Sequence, residues 1–235
     1  MEHTRSAAIV LAAGQGKRMH SKIQKQYMML REKPLLYYAL NAFEKSEVND
    51  VIVVVGAGEI RFCRENIIEK YGFTKVRAVV EGGKERYHSV YQGIRAVENC
   101  DYVLIHDGAR PLVDESMIAS ALDSVRTYQA CVVGMPVKDT VKVVDDNGYS
   151  QSTPDRSKLW AVQTPQAFSF ELVRGAYEKL FEKDEYQIGV TDDAMVVEQM
   201  TGHRVKLIEG SYENIKVTTP EDVSVAEVFL QNRGV

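Results

Sequence analysis

Cysteine is scarce in this chain of 235 residues. Cys63, Cys100 and Cys131 are odd in number, far apart and outside any metal or redox spacing. That argues against a disulfide framework and reads as reduced thiols in a cytoplasmic protein. Histidine is also sparse, and His3, His20, His88, His106 and His203 form no pair at metal-binding spacing. No uninterrupted apolar stretch approaches bilayer-spanning length, so no membrane role is expected. The segment Met1-Glu2-His3-Thr4-Arg5 leads into an apolar run of strand length, shorter than the hydrophobic region of a secretion signal. A net charge of −4 provides no overall basic field for nucleic acid. Repeats, low-complexity stretches and linkers are missing too, so residues 1–235 read as a single domain. That length is enough to bury a sizeable core.

The most informative stretch runs from Ser6 to Met19. Ser6-Ala7-Ala8-Ile9-Val10-Leu11 has the continuous apolar pattern of a strand buried on both faces of a parallel sheet. Ala12, Ala13, Gly14 and Gly16 follow, and the chain then turns basic: Lys17, Arg18, Lys22, Lys25, Arg31 and Lys33, with Glu32 the one acid between Lys17 and Lys33. A loop without bulky side chains lets backbone N–H groups approach an anion, and nearby cations neutralise it. The loop is not a P-loop, because Gly14 is too close to Lys17 and Arg18 stands where Ser or Thr is needed. It is not the dinucleotide fingerprint, because Met19 occupies the position of the third glycine.

The rest of the first half alternates strands and helices. A helix begins at Pro34 as its first residue and runs through Phe43; strands are expected at Val51–Val55, Val76–Val80, Tyr102–Ile105 and Ala130–Met135. Helices ending near Tyr71, Val97 and Tyr128 separate them. The pattern predicts an α/β fold with a doubly wound and mostly parallel sheet. A second glycine-rich loop, Glu81-Gly82-Gly83-Lys84-Glu85-Arg86, opens the helix to Val97. The strand at Tyr102 delivers His106-Asp107-Gly108-Ala109-Arg110-Pro111 to the crevice where such sheets bind ligands, although Asp107 before Gly108 could equally cap a turn.

From Asp139 to Val144 polar and apolar residues alternate, and Asp145-Asp146-Asn147-Gly148 carries a strong hairpin signal. A two-stranded ribbon is marginal in water unless it packs on something, so residues of about 138–160 are expected to form a β-arm that packs against a second copy of the chain. Ser169 is expected to cap a helix to Phe181, and Asp192 and Asp193 to serve the first turn of another. Strands follow at Val205–Glu209 and Asn214–Val217, and Thr219 with Pro220 opens a last helix.

Several blocks carry a resemblance to a known family. They are L-A-A-G-x-G-x-R-M from Leu11, Lys25-Gln26-Tyr27, G-G-x-E-R-x-x-S-V from Gly82, H-D-x-x-R-P from His106, Asp139-Thr140-Val141-Lys142, T-P-D-R-x-x-L-W from Thr153, Q-T-P-Q-x-F from Gln163, T-D-D-A from Thr191 and N-I-K-V-T-x-P-E-D from Asn214. In their order and spacing they resemble the family of cytidylyltransferases that act on 2-C-methyl-D-erythritol 4-phosphate in non-mevalonate isoprenoid synthesis. The ribitol 5-phosphate cytidylyltransferases are a near alternative, and a non-catalytic nucleotide-binding protein a more distant one.

The resemblance implies attack of a polyol phosphate on the α-phosphate of CTP. It implies Arg18 and Lys25 as catalytic groups at that phosphorus, and Arg156 and Lys216 as the groups that hold the attacking phosphate. Backbone contacts to CTP are implied at Ala12, Ala13, Gly14 and Gly16, with Gly83, Ser89 and Gly108 around base and ribose and Asp107 facing the phosphates. Asp107, Arg110, Thr140 and Thr164 are implied on the substrate side. The implied cofactor is Mg²⁺ or another divalent cation, held mainly by the CTP phosphates with Asp107 nearby. The implied assembly is a homodimer in which each arm brings Thr140 and Arg156 to the partner's site.

Overall fold

The computed structural model describes residues 4–14, 16 and 24–234. Strand β1 (Ser6–Ala12) is the middle of the architecture. Its side chains alternate between two cores: Ala8, Val10 and Ala12 join Val51, Val53 and Val55 on one face, and Ala7 and Ile9 join Ile52 and Val54 on the other. Because both faces are covered, the apolar run is continuous instead of alternating with polar residues.

After β1 come a single 3₁₀ turn (Lys25–Tyr27) and a short hairpin of β2 (Met29–Leu30) and β3 (Lys33–Pro34). Helix α1 (Leu35–Lys45), β4 (Asp50–Val55), α2 (Ile60–Cys63, continued by a π-type turn at Arg64–Glu69) and β5 (Val76–Glu81) follow. Then come α3 (Arg86–Ala96), β6 (Tyr102–Asp107), α4 (Glu115–Tyr128) and β7 (Ala130–Pro136). A ribbon of β8 (Val143–Val144) and β9 (Ser150–Ser152) leads into β10 (Trp160–Ser169). The chain closes with α5 (Phe170–Leu180), α6 (Asp193–Thr201), β11 (Lys206–Glu209) and α7 (Pro220–Asn232).

The main sheet has seven strands in the order β11-β7-β10-β6-β1-β4-β5. Strand β10 runs antiparallel to both neighbours, and the other pairings are parallel. Residues of α1, α2 and α4 cover one face, and residues of α3, α5 and α6 the other. A third apolar cluster joins Ala226 and Leu230 of α7 to Leu30, Leu35 and Leu112. From β1 the chain winds outward to β4 and β5, then returns to β6 on the other side of β1. The crevice of such a sheet lies where the winding reverses, between β1 and β6.

Most expected elements are present, with four differences. Pro34 ends β3 with extended backbone (ψ 148°) and stands just before α1, not as its first residue. Ser169 occupies the cap position of α5, yet its hydroxyl makes no capping bond. The strand expected from Asp139 forms only at Val143–Val144. No strand forms at Asn214–Val217; Arg110 takes the Asn214 carbonyl at 2.7 Å and Ala109 takes the Val217 N–H at 2.8 Å, so no regular ladder can develop. The turn of the ribbon is as expected, with Gly148 at φ +82° donating its N–H to the Asp145 carbonyl at 3.0 Å. Tyr149 is 74% exposed and Val143 and Val144 are also exposed, apolar side chains that the ribbon cannot bury by itself.

Helix α3 crosses the sheet at Gly93, where an added Cβ would lie 2.5 Å from Ile9 Cγ2 and 3.2 Å from Val54 Cγ2. Glycine to alanine in an open helix stabilises by about 1 kcal/mol, but overpacking a core costs about 1–3 kcal/mol. Gly93→Ala is therefore expected to lower the urea midpoint; a raised midpoint would show slack between helix and sheet.

Candidate active site

Strands β1 and β6 pair in parallel with Leu11 opposite Asp107, so their ends deliver two turns to one crevice. Gly108 donates its N–H to the Leu11 carbonyl at 2.9 Å, and a Cβ there would meet Leu36 and the Leu11 carbonyl at 2.9 and 3.0 Å. The second glycine loop closes over the first: a Cβ on Gly82 would come within 2.7 Å of Ala13 Cβ. Between the loops lies a cleft of about 550 Å³. Of the residues expected there, Ala12, Ala13, Gly14 and Lys25 line it from the β1 side, and Gly83, Ser89, Asp107 and Lys216 from the other elements. Gly16, at φ +59°, packs along the Lys25 side chain, with an added Cβ only 3.2 Å from Lys25 Cβ. Lys25 Nζ donates to the Val217 carbonyl at 3.3 Å.

Asp107 is the electrostatic centre. Lys216 Nζ lies 2.7 Å from its Oδ2, and Arg86 Nε lies 3.3 Å from its Oδ1. Burial pushes the Asp107 carboxyl up, but Arg86 and Lys216 outweigh it and hold the group well below the usual carboxylate range. Arg86 also makes a bidentate pair with Asp193, at 2.9 and 2.8 Å. Asp193 is fully buried and accepts the Tyr177 hydroxyl at 2.6 Å. Gln166 Oε1 accepts the Asp193 and Ala194 N–H groups, and its Nε2 donates to Asp192. Asp192 caps α6 through the Met195 N–H at 2.9 Å, as expected. Asp193 is more than a first-turn acid, because it anchors the arginine that flanks Asp107.

Beneath the cleft, the Thr164 hydroxyl accepts the Asp107 N–H at 3.0 Å and donates to His106 Nδ1 at 3.0 Å. His106 Nε2 then donates to the Arg110 carbonyl at 3.2 Å, which sets the neutral tautomer with its proton on Nε2. Burial pushes this imidazole down to about 4, and both nitrogens are engaged, so His106 is a support and not a base. Arg110 is held by the Asn214 carbonyl behind the turn and does not line the cleft. The Ser89 hydroxyl accepts the Gly83 N–H at 3.1 Å and fixes the loop.

Thr140 and Arg156 are exposed at the base of the arm and do not line this cleft; Arg156 Nη1 donates to the Lys138 carbonyl at 2.8 Å. Arg18 lies outside the described residues. Three residues escaped the sequence reading. Arg86 stood inside a recognised block without a role, and a buried arginine demands an acid. The Asp192-Asp193 doublet was a second signal, since one acid can cap the helix while its neighbour turns inward. Asn214, fully buried, donates to Gln163 and to the Thr164 carbonyl and so fixes the segment carrying Lys216; it opens a recognised block, but its partners lie some fifty residues away.

The arrangement brings the cations Lys25, Lys216 and Arg86 into one cleft with a single buried carboxylate, Asp107. It suits binding and transfer among phosphates. Among the described residues no group of three or more His, Cys, Asp or Glu could hold a metal by itself.

Comparison with known proteins agrees with this geometry. Residues 6–232 match the profile of a family described as 2-C-methyl-D-erythritol 4-phosphate cytidylyltransferase (IspD). A protein of that name from Lachnoclostridium phytofermentans is 52% identical over 225 residues, covering 95% of each chain. One from Lachnospira eligens is 48% identical, covering 96% of this chain and 99% of its own. The crystal structure of 4-diphosphocytidyl-2C-methyl-D-erythritol synthase from Anaerococcus prevotii superposes with a TM-score of 0.85 at 32% identity, covering 97% and 96% of the two chains.

The buried His106 makes stability depend on pH. Unfolded, a histidine titrates near about 6.5, whereas here burial depresses it to about 4. Between these values the unfolded chain binds a proton that the folded chain refuses, so stability falls as pH drops through this window, by about 3 kcal/mol in all. The urea midpoint is expected to fall from pH 6.5 to 4.5, and His106→Gln to flatten that slope; an unchanged slope in the variant would reject the assignment.

Proposed function

We infer that this chain, which belongs to the 2-C-methyl-D-erythritol 4-phosphate cytidylyltransferase family, uses the cleft between its glycine loops for the family's reaction. The enzyme joins CTP and 2-C-methyl-D-erythritol 4-phosphate, giving 4-diphosphocytidyl-2-C-methyl-D-erythritol and pyrophosphate in non-mevalonate isoprenoid precursor synthesis. The observation that carries the site assignment is the meeting of Lys25, Lys216, Arg86 and Asp107 at the open ends of the glycine loops.

The attacking phosphate is already an anion and needs no general base. The barrier is electrostatic: two anions must meet while charge develops at the α-phosphorus. Lys25 and Arg18 stabilise that charge, and the backbone of Ala12, Ala13, Gly14 and Gly16 cradles the triphosphate. Gly83 and Ser89 line the base and ribose, and Gly108 lets the turn beside them close on β1. Lys216 holds the substrate phosphate, for which its present pairing with Asp107 has to open. Asp107 meets the polyol side, while Thr164 holds its turn from below and Arg110 serves from behind the turn, through the Asn214 carbonyl of the segment carrying Lys216.

A divalent cation such as Mg²⁺ fits this donor set only as an ion carried mainly by the triphosphate. Asp107 is one carboxylate with two cationic neighbours, too few donors for a protein-built cage. Bound with CTP, the ion neutralises phosphate charge.

Residues 1–235 form one domain whose arm, about 138–160, serves dimerisation. The exposed Val143, Val144 and Tyr149 support this, as does the position of Thr140 and Arg156 away from their own chain's cleft. In a homodimer these two residues complete the partner's site. Three free cysteines and small phosphorylated substrates support a cytoplasmic location.

Pyrophosphate release from CTP and Mg²⁺ tests the reading, with 2-C-methyl-D-erythritol 4-phosphate and ribitol 5-phosphate supplied separately. Release is expected with the first, and Lys25→Ala or Arg18→Ala should lower kcat roughly 10²-fold; wild-type rates in both variants would refute the roles. A sharper test of the shared site mixes Lys25→Ala with Arg156→Ala protomers. Each variant alone is nearly inactive, and subunit exchange should restore about a quarter of the wild-type rate, since one site in each mixed dimer is intact. No recovery after exchange would place Arg156 in its own chain's site.

A further inference from the structure

Lys25 sits in a 3₁₀ turn of three residues, Lys25–Tyr27. Such turns have poor hydrogen-bond geometry and do not hold themselves. The backbone contributes Tyr27 N–H to the Gln24 carbonyl at 2.9 Å and Met28 N–H to the Lys25 carbonyl at 3.2 Å. What fixes the turn further lies in its next two side chains. Gln26 and Tyr27 are both buried, and both donate to the same oxygen: Gln26 Nε2 at 3.2 Å and Tyr27 Oη at 2.9 Å from Glu59 Oε2.

Glu59 is well placed to be an anchor. It stands at the residue before α2, with its N–H on the Gly56 carbonyl at 3.1 Å and its own carbonyl accepting the Cys63 N–H at 2.9 Å. Its carboxylate packs against Gly56, where an added Cβ would lie 2.4 Å from Oε1. The Tyr27 ring meets Phe62 of α2 edge-on at 4.8 Å, so the same helix grips the turn twice. Burial, with Cys63 and Glu59 adding to it, pushes the Tyr27 phenol up, which keeps it a hydrogen-bond donor. Gln26 Oε1 is buried without a hydrogen-bond partner, so the amide of Gln26 is oriented by Glu59. Glu59 does not line the cleft, whereas Lys25 and Gln26 do.

We propose that Glu59 is a positioning residue for catalysis: by clamping Gln26 and Tyr27 on one carboxylate oxygen, it aims Lys25 at the α-phosphate. The inference rests on the role given to Lys25 above. Misplacing a charge donor by about an ångström costs up to 10²-fold in rate without abolishing binding. Glu59 therefore acts on kcat more than on affinity, and only while Lys25 is present.

The test is a double-mutant cycle in the full-length enzyme, with kcat and KM for CTP measured at saturating second substrate. Glu59→Ala is expected to lower kcat about tenfold with KM changed less than about twofold. Glu59→Gln, which keeps an oxygen acceptor, should recover most of the rate. In the Lys25→Ala background, Glu59→Ala should change kcat by less than about twofold, because the group it positions is gone. Tyr27→Phe removes one clamp bond alone and should show a smaller loss with the same dependence on Lys25, which covers the case of a poorly folded Glu59→Ala. Wild-type kcat in Glu59→Ala and Tyr27→Phe, or an undiminished loss in the Lys25→Ala background, overturns the proposal. Wild-type kcat in Lys25→Ala instead brings down the role of Lys25 itself, and the positioning role with it.

Discussion

The Asp107 carboxylate, buried at the end of β6, is the constraint around which the cleft is arranged. An unpaired carboxylate there would be costly, and two cations from distant parts of the chain meet it, Arg86 from α3 and Lys216 from the segment before α7. Each cation needs its own support. Arg86 is held by Asp193, which is held in turn by Tyr177 and by Gln166 through its backbone N–H. The segment of Lys216 is held by Asn214 and by the Val217–Ala109 backbone bond. The charged centre is therefore tied to the helical layer of α3, α5 and α6 on one side and to β10 and the turn after β6 on the other.

The neutral groups below obey the same logic. Thr164 and His106 pass one chain of hydrogen bonds from the Asp107 N–H to the Arg110 carbonyl, and the turn has its backbone groups satisfied from beneath. Lys25, Lys216 and Arg86 all face the cleft, the last two against Asp107.

Much of the fold was legible in the sequence because it rests on local rules. The buried strands β1, β4 and β6 announce themselves as apolar runs, and Asp192 and Thr219 mark their helices by cap chemistry. The glycine loops were legible for a similar reason, since Gly82 and Gly108 stand where no Cβ fits. What local rules do not reach is partnership across the chain. Asp193 reads as a helix-start acid until Arg86 is placed against it, and Glu59 belongs to no motif at all. The segment Asn214–Val217 reads as a strand by composition, yet its backbone is spent on Arg110 and Ala109. Propensity lost there to tertiary demand.

The place of β10 in the sheet carries a consequence for how the molecule comes into being. This strand lies between β6 and β7, although both precede it in the chain. A polypeptide growing from its N-terminus completes the glycine loops and five strands of the main sheet while that slot stands open, with two unpaired edges waiting. The polar support under Asp107 arrives with β10 itself, through Thr164, and the flanking cation Lys216 later still. The glycine loops are thus written early in synthesis and their charge balance late, so the nascent chain holds an aspartate with one of its two flanking cations missing until the segment before α7 emerges.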